Sequence, residues 1–437
     1  MIHAGWMHYL LAIFNAHDWT MKYVTMFSGE IFSLLNSIIY FHKAIQQLQR
    51  AHENLSFAAF LYAVIGAIGT LIVAVVLSSA ESWRPLFHRY VRLGLSEYAA
   101  AISIILFIGI PHIGELATLD KETLQVSDSF RPSSPDRTVF FVKFWQLPVA
   151  WIFAAMLPGL IITVLFFFDH EISIIICTID RYGTKKPAGF AWDIALLGTT
   201  TALCGILGIP PANGLIPQAP LHSESLMYST RLPTIPTDGT GSGDSQEKTG
   251  PIESRQVYEQ RWSHFLHAGG ILAFVSPPLM HVLGLTPTSV LAGLFLFMGE
   301  QSLAVNPILH RFFHILTPAS ELPPLPTGIR TYRGIHLYTI VQIVLTVIIF
   351  VITLTKAAPA FPIIIILLVP FRLVLMKRFW HRETLRHVDA WACRAGTPED
   401  SEDAERRKRD AEEVPNNDGV MMQPAAARSD RKVEDPV

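Results

Sequence analysis

Charge is what this sequence has least of. Asp, Glu, Lys and Arg make up 16% of its 437 residues, against about a quarter in an ordinary soluble domain, and that is too little to clothe a soluble chain of this length. Neither sign is in excess, since 34 basic and 36 acidic residues leave a net charge of −2. A chain without a basic field has nothing with which to hold nucleic acid. Cysteine is scarce as well. Cys177, Cys204 and Cys393 are the whole complement, too few and too scattered for a disulfide framework or a thiolate metal cluster, so redox chemistry and a bound metal are not expected. Enzyme signatures are missing: His170-Glu171 is followed by Ile174 where a zincin helix needs His, and neither GxxxxGK[ST] nor GxSxG occurs. The reading is of a non-enzyme without a cofactor. A cleavable leader is not expected either, because WMHYLLAIF has His3 and His8 in place of a basic flank, and no small-residue cleavage site follows.

What is present is long apolar sequence. Residues 57–80, FAAFLYAVIGAIGTLIVAVVLSSA, carry no charge and exceed the roughly 20 residues a helix needs to cross a bilayer core of about 30 Å. Residues 335–355, IHLYTIVQIVLTVIIFVITLT, do the same. Apolar windows between charged or Pro/Gly boundaries fall near 4–24, 27–48, 57–80, 95–113, 147–178, 190–208, 212–229, 264–285, 288–305, 335–356 and 358–376, about eleven spans of an all-α polytopic membrane protein. The windows 288–305 and 358–376 are short or Pro-interrupted, as partial spans sheltered by neighbours would be. Basic residues mark alternate short loops: Arg84, Arg89 and Arg92, then Arg181, Lys185 and Lys186, then Arg311, Arg330 and Arg333. Those loops and the C-terminal tail are expected in the cytoplasm, with residues 114–146 outside. Residues 230–260, centred on TIPTDGTGSGDSQEKTG, read as a disordered cytoplasmic loop, and the mixed-charge tail 377–437 as a solvated, partly helical and otherwise disordered one.

Charge inside a span costs about 2.5–3.5 kcal/mol and is kept mostly where it lines a pathway or finds a partner. Asp169 and Glu171 stand inside LPGLIITVLFFFDHEISIIICTID. Two positions apart on a helix, they point about 200° from one another, so one faces the interior and the other a loop or neighbour. A structural acid bonded to a helix end or a His is the competing reading for each. His170 reads as a packed neutral imidazole, and Glu30 and Lys43 as interfacial residues at the two ends of one span. In GIPPANGLIPQAPLHSESL, residues 208–226, four prolines and two glycines interrupt an apolar region. No continuous helix runs through it. Broken helices at membrane depth line cavities, and a half-helix starting near Asn213 would aim its free N–H groups into one, an anion-binding device.

These stretches, YVTMFSGEIFSLLNSIIYFHKAIQ, LFFFDHEIS, TKKPAGFAWDIALLG, GIPPANGLIPQAPLHSESL, LAGLFLFMGEQSL and LLVPFRLVLM, resemble the bicarbonate transporter and anion exchanger family. Its borate-transporting fungal branch is the nearest likeness, and NGLIPQAPLHSESL is the most specific part. The resemblance implies fourteen spans in two inverted seven-span repeats, a core domain that moves against a gate domain, and homodimers through the gate. It places a small anion, borate or bicarbonate, between two half-helices beside an acid on the eighth span. Carried over, the acid is Asp169, and the substrate site holds Asn213, Gly214, Leu215, Ile216 and Gln218, with Asp169 and Glu171 as candidates for proton or cation coupling. Chloride and bicarbonate exchangers usually have Arg where Gln218 stands, a departure that favours borate. The implied division is 1–25 core remnant, 26–113 gate, 114–146 external loop, 147–285 core, 286–376 gate and 377–437 tail, in the plasma membrane or the vacuolar membrane. GWMHYLLAIFNAHDW resembles the family's fourth span, so the first three spans, with one half-helix, have no counterpart here. That predicts a chain that does not transport alone. A second reading from another class is a non-transporting membrane subunit or assembly partner.

Overall fold

The computed structural model describes residues 1–412 apart from 128, 133, 135, 179–181, 188, 215–217, 232–252, 326–327, 330, 359–360 and 395. Its helices are α1 (Ile2–Ile13), α2 (Ala16–Met21), α3 (Met26–Asn54), α4 (Phe57–Ser78), α5 (Arg89–Glu97), α6 (Ala99–Gly109), α7 (Val149–Ala154), α8 (Met156–Cys177), α9 (Phe190–Leu207), α10 (Gln218–Ser225), α11 (Trp262–Ala273), α12 (Pro277–Gly284), α13 (Thr288–Ala304), α14 (Pro307–Leu316), α15 (Arg333–Thr353), α16 (Phe361–Pro370), α17 (Arg382–Val388) and α18 (Pro398–Glu412). Strands β1 (Met227–Arg231) and β2 (Glu253–Val257) pair antiparallel.

The uncharged runs become helices where local chemistry starts and stops them. Ser56 accepts from the Ala59 N–H at the head of α4, and Thr25 accepts from the Ser28 N–H at the head of α3, each satisfying a donor the helix itself leaves free. α9 ends on Gly208 in the left-handed region, φ 64°, which glycine adopts without steric cost. Four helical stretches are long and apolar enough to cross a membrane: Phe57–Ser78, Val149–Ile175, Phe190–Leu207 and Arg333–Thr353. Three more candidates are bent pairs, α5 with α6 at 70°, α11 with α12 at 87° and α13 with α14 at 69°. The outward faces are apolar. Ile65 and Ile72 of α4 and Val344, Val347, Ile348 and Val351 of α15 are all exposed, a surface suited to hydrocarbon. The protein is an all-α polytopic membrane protein.

The described residues give up to seven such crossings, fewer than the eleven windows. Window 4–24 is divided at Asn15, whose φ of 47° lies in the left-handed region, and window 27–48 is a single helix of 29 residues that carries Glu30, Lys43, Arg50 and Glu53. Two expectations are corrected. The loop 230–260 is tied at both ends by β1 and β2, with Met227 opposite Val257 and Arg231 opposite Glu253; residues 232–252 lie outside the described residues. The tail is not solvated throughout, since α17 and α18 dock on the helices and bury Asp389 and Glu399 completely; residues 413–437 lie outside the described residues.

Two groups of helices result. α1 lies against α8 and α9, with α2 and α10 beside them, and α3 lies against α4, α13, α15 and α16. Close approach in the first group relies on small residues. A Cβ at Gly198 would stand 2.8 Å from the Gly5 carbonyl oxygen, and one at Gly5 2.7 Å from Ala202 Cβ, so backbones touch where lipid offers no hydrophobic drive and packing must supply the attraction. In the second group Phe27, Ile31 and Leu35, four residues apart along α3, pack with Tyr338 and Ile349 of α15 and Ile365 of α16. The groups meet where α16 runs against α8, and residues 22–25 join them along the chain.

Candidate functional site

Asp169 and Asn213 come together. Asn213 Nδ2 donates to Asp169 Oδ2 at 3.2 Å and to the Phe166 carbonyl at 3.0 Å, so the first residues of the broken segment are fastened to the middle of α8. The Gly214 N–H donates back to Asn213 Oδ1 at 2.9 Å, which orients the amide and turns the chain. The segment runs irregularly because Pro210 and Pro211 lack N–H groups and fix φ. Asp169 is half-buried and Asn213 partly so, and both border a cavity of about 410 Å³.

The opposite wall is α3. Phe32, Asn36 and Tyr40, at spacings of four along one helix face, line the cavity with Phe361 from the head of α16. Sequence reasoning missed all four. The one signal was Asn36, an amide in the apolar stretch 31–40, and an amide at that depth needs a polar neighbour. The cavity therefore takes one wall from each helix group. Its chemistry is a carboxylate acceptor, amide groups able to donate and accept, and a phenol. Such a set suits a small ligand that carries hydroxyls.

Glu171 faces elsewhere, as two-residue spacing demands. It is 1% exposed and its Oε2 pairs with His17 Nδ1 of α2, whose ring stacks on Phe190 of α9 with centroids 3.4 Å apart. Glu171 thus ties α2, α8 and α9 together and does not border the cavity. Of the remaining expected site residues, Leu215 and Ile216 lie outside the described residues, and Gln218 is the first residue of α10. Glu30 is enclosed by protein. It is 6% exposed, held by Arg311 of α14 and by Gln342 Nε2 of α15 at 2.9 Å, because a carboxylate at that depth needs cationic and amide partners. Lys43 is exposed and donates to Gln46 at 3.1 Å. Among the described residues no group of three or more His, Cys, Asp or Glu is arranged to hold a metal ion.

The family model for the HCO3- transporter integral membrane domain matches residues 51–392. The chain belongs to this family of membrane transporters. It is 35% identical to a putative transporter of Schizosaccharomyces pombe over 389 residues, which are 87% of this chain and 72% of that one. It is 33% identical to boron transporter 1 of Saccharomyces cerevisiae over 321 residues, 71% of this chain and 51% of that protein. With anion exchange protein 3 of Danio rerio the identity is 24% over 420 residues, 88% of this chain and 34% of the relative. The chain thus spans about half of boron transporter 1 and about a third of anion exchange protein 3. The family is one of transporters, not of enzymes.

Proposed function

We propose that this chain moves a small inorganic anion across a membrane, borate or boric acid in first place, with Asp169 and Asn213 at the binding site. The observation that carries the reading is the Asn213–Asp169 hydrogen bond at the wall of the cavity between the two helix groups. A carboxylate inside a span is costly unless it serves a cavity or a cation, and here its described partner is a neutral amide. Hydroxyl groups of borate or boric acid would donate to Asp169 and exchange with the amide of Asn213. The names of the yeast and plant relatives, boron transporter and probable boron transporter, support this choice over chloride. So does a neutral Gln218 at the start of α10.

The finer architecture belongs to the same reading. α1, α2 and α7–α12 are taken as part of a core domain, and α3–α6 with α13–α16 as part of a gate, in a fold of two inverted seven-span repeats. The packing of α1 on α8 and α9, apart from α3 and its partners, supports that division. We place the protein in the plasma membrane as a homodimer with a cytoplasmic tail. Its substrate site would include Gly214, Leu215, Ile216 and Gln218.

The test is Asp169→Asn against the wild type, both carried in a version joined to the preceding segment of a longer relative, in cells lacking their own borate exporter and challenged with boric acid. The amide retains an acceptor for Asn213, so the variant should accumulate like the wild type and lose protection. Full protection by Asp169→Asn would overturn the assignment of the site.

A further inference from the structure

The C-terminal segment grips the joint between the two helix groups from both sides. Residues 22–25 are the chain's passage from α2 to α3. At the α2 end, the Met21 carbonyl accepts from the Val24 N–H and also from Arg394 Nη2. At the α3 end, the Met26 N–H, which has no partner inside its own helix, donates to Asp389 Oδ1 at 2.9 Å. Asp389 and Arg394 are five residues apart in the tail. An acid at the head of α3 also meets the positive end of its dipole.

The gripping segment is itself anchored. Arg372, in the helical turn after α16 and fully buried, meets Asp389 Oδ2 at 2.8 Å and Glu399 Oε1 at 3.0 Å. Arg382 pairs with Glu399 and donates through two nitrogens to Asp403, each at 2.9 Å. Charges this deep need opposite charges beside them, and Arg372 has two, although its Nη2 has no hydrogen-bond partner among the described residues. Arg394 lies over the Trp391 ring, 4.8 Å from its centroid, which fixes its reach to Met21. The anchor therefore belongs to the α3 side, while Arg394 reaches across to α2.

We infer that Asp389 and Arg394 form a clasp that restrains the 22–25 joint and so limits movement of one helix group against the other. Relative motion of packed bodies is absorbed by a few residues at element ends, and here those residues are held by tail side chains. The consequence for transport rests on the function proposed above; the restraint itself does not.

The test is hydrogen exchange of the full chain in detergent or nanodiscs, read over residues 20–30. Arg394→Ala and Arg394→Met remove the donor, the latter keeping an aliphatic stem on Trp391, so it decides the matter if the alanine variant fails to fold. Either should exchange about fivefold faster in that window, the equivalent of one hydrogen bond at about 1 kcal/mol, with α8, α9 and α13 unchanged. Arg394→Lys, still a donor, should restore protection. Unchanged exchange at 20–30, or acceleration spread over the whole chain, overturns the clasp. In liposomes where the wild type moves borate, Arg394→Met should raise the maximal rate and leave half-saturation alone; a rate that does not rise also overturns it. Where the wild type moves nothing even when joined to the preceding segment of a longer relative, the proposed function fails while the exchange result still decides the clasp.

Discussion

Glu30 and Arg311 stand 281 positions apart in sequence and share one buried ion pair, with Gln342 as the third member and Tyr338 under the guanidinium at 5.6 Å. Such a pair adds little over an apolar pair of the same shape, but losing one partner strands the other charge at a cost of about 3–5 kcal/mol. Glu30→Ala should therefore lower the unfolding temperature in detergent sharply. Glu30→Ala with Arg311→Ala should cost less than the two single changes together, because the second removes the stranded charge. Simple additivity across that cycle would mean the pair contributes nothing specific. Cys393 shows how a neighbour decides reactivity in the same way. Burial and its bond to Glu399 Oε2 at 3.2 Å push the thiol up to about 12. Only a thiolate reacts with maleimide, so at pH 8 labelling in the folded protein should lag the unfolded chain by roughly two to three orders of magnitude. Mass spectrometry of the Cys393 peptide reads that ratio, and equal labelling would show that the docked tail is absent in solution.

Elements were legible where one local property decides them. Windows 57–80, 190–208 and 335–356 lie within a few residues of α4, α9 and α15, since an uncharged run of that length has one stable form in lipid. Bends and joins were not legible, because Ser276 with Pro277 at the head of α12, or Asn306 with Pro307 at the head of α14, announce a helix start without saying whether the chain turns sharply, by 87° at α12, or runs on. The tail was legible in part, since residues 401–406 are helical and mostly exposed. Its mixed charge reads as solvated by composition, and what overrules composition is Arg372, buried seventeen residues before Asp389. The site was half legible: the proline-broken segment and Asp169 are local features, but their meeting with Asn36 and Tyr40 is tertiary. Helix contacts offer a cleaner test. Gly198→Ala must force α9 from the Gly5 carbonyl 2.8 Å away, at about 1–3 kcal/mol for overpacking. Gly94→Ala meets nothing within 4 Å in α5 and should be neutral or slightly stabilising. Thermal unfolding of both variants side by side checks this, and equal midpoints would show that α1 and α9 are not in contact.

At the scale of the molecule, the basic loops divide the chain into two faces. Glu259, just past β2, accepts from the Lys185 and Lys186 N–H groups, which puts the strand pair and the turn after α8 on one side. By the basic residues around 185 we propose that this side faces the cytoplasm, with residues 114–146 outside. Thr118 and Lys186 are both exposed. In a version freed of native cysteine, Thr118→Cys should react with an impermeant maleimide on intact cells, and Lys186→Cys only after permeabilisation. Labelling of both before permeabilisation would reverse or dissolve the orientation.

The lengths of α4 and α15 have a consequence of another kind. At 22 and 21 residues and 1.5 Å per residue they measure about 33 and 32 Å, the hydrocarbon thickness of a sterol-rich plasma membrane, whereas the bilayer in which such a chain is made is nearer 27 Å. Upright helices fit the thicker membrane without strain. In the thinner one they would have to tilt, kink or stretch the lipid around them, at a cost of fractions of a kcal/mol per Å of mismatch, so the two lengths make the thickness of the surrounding bilayer a variable to which this chain responds.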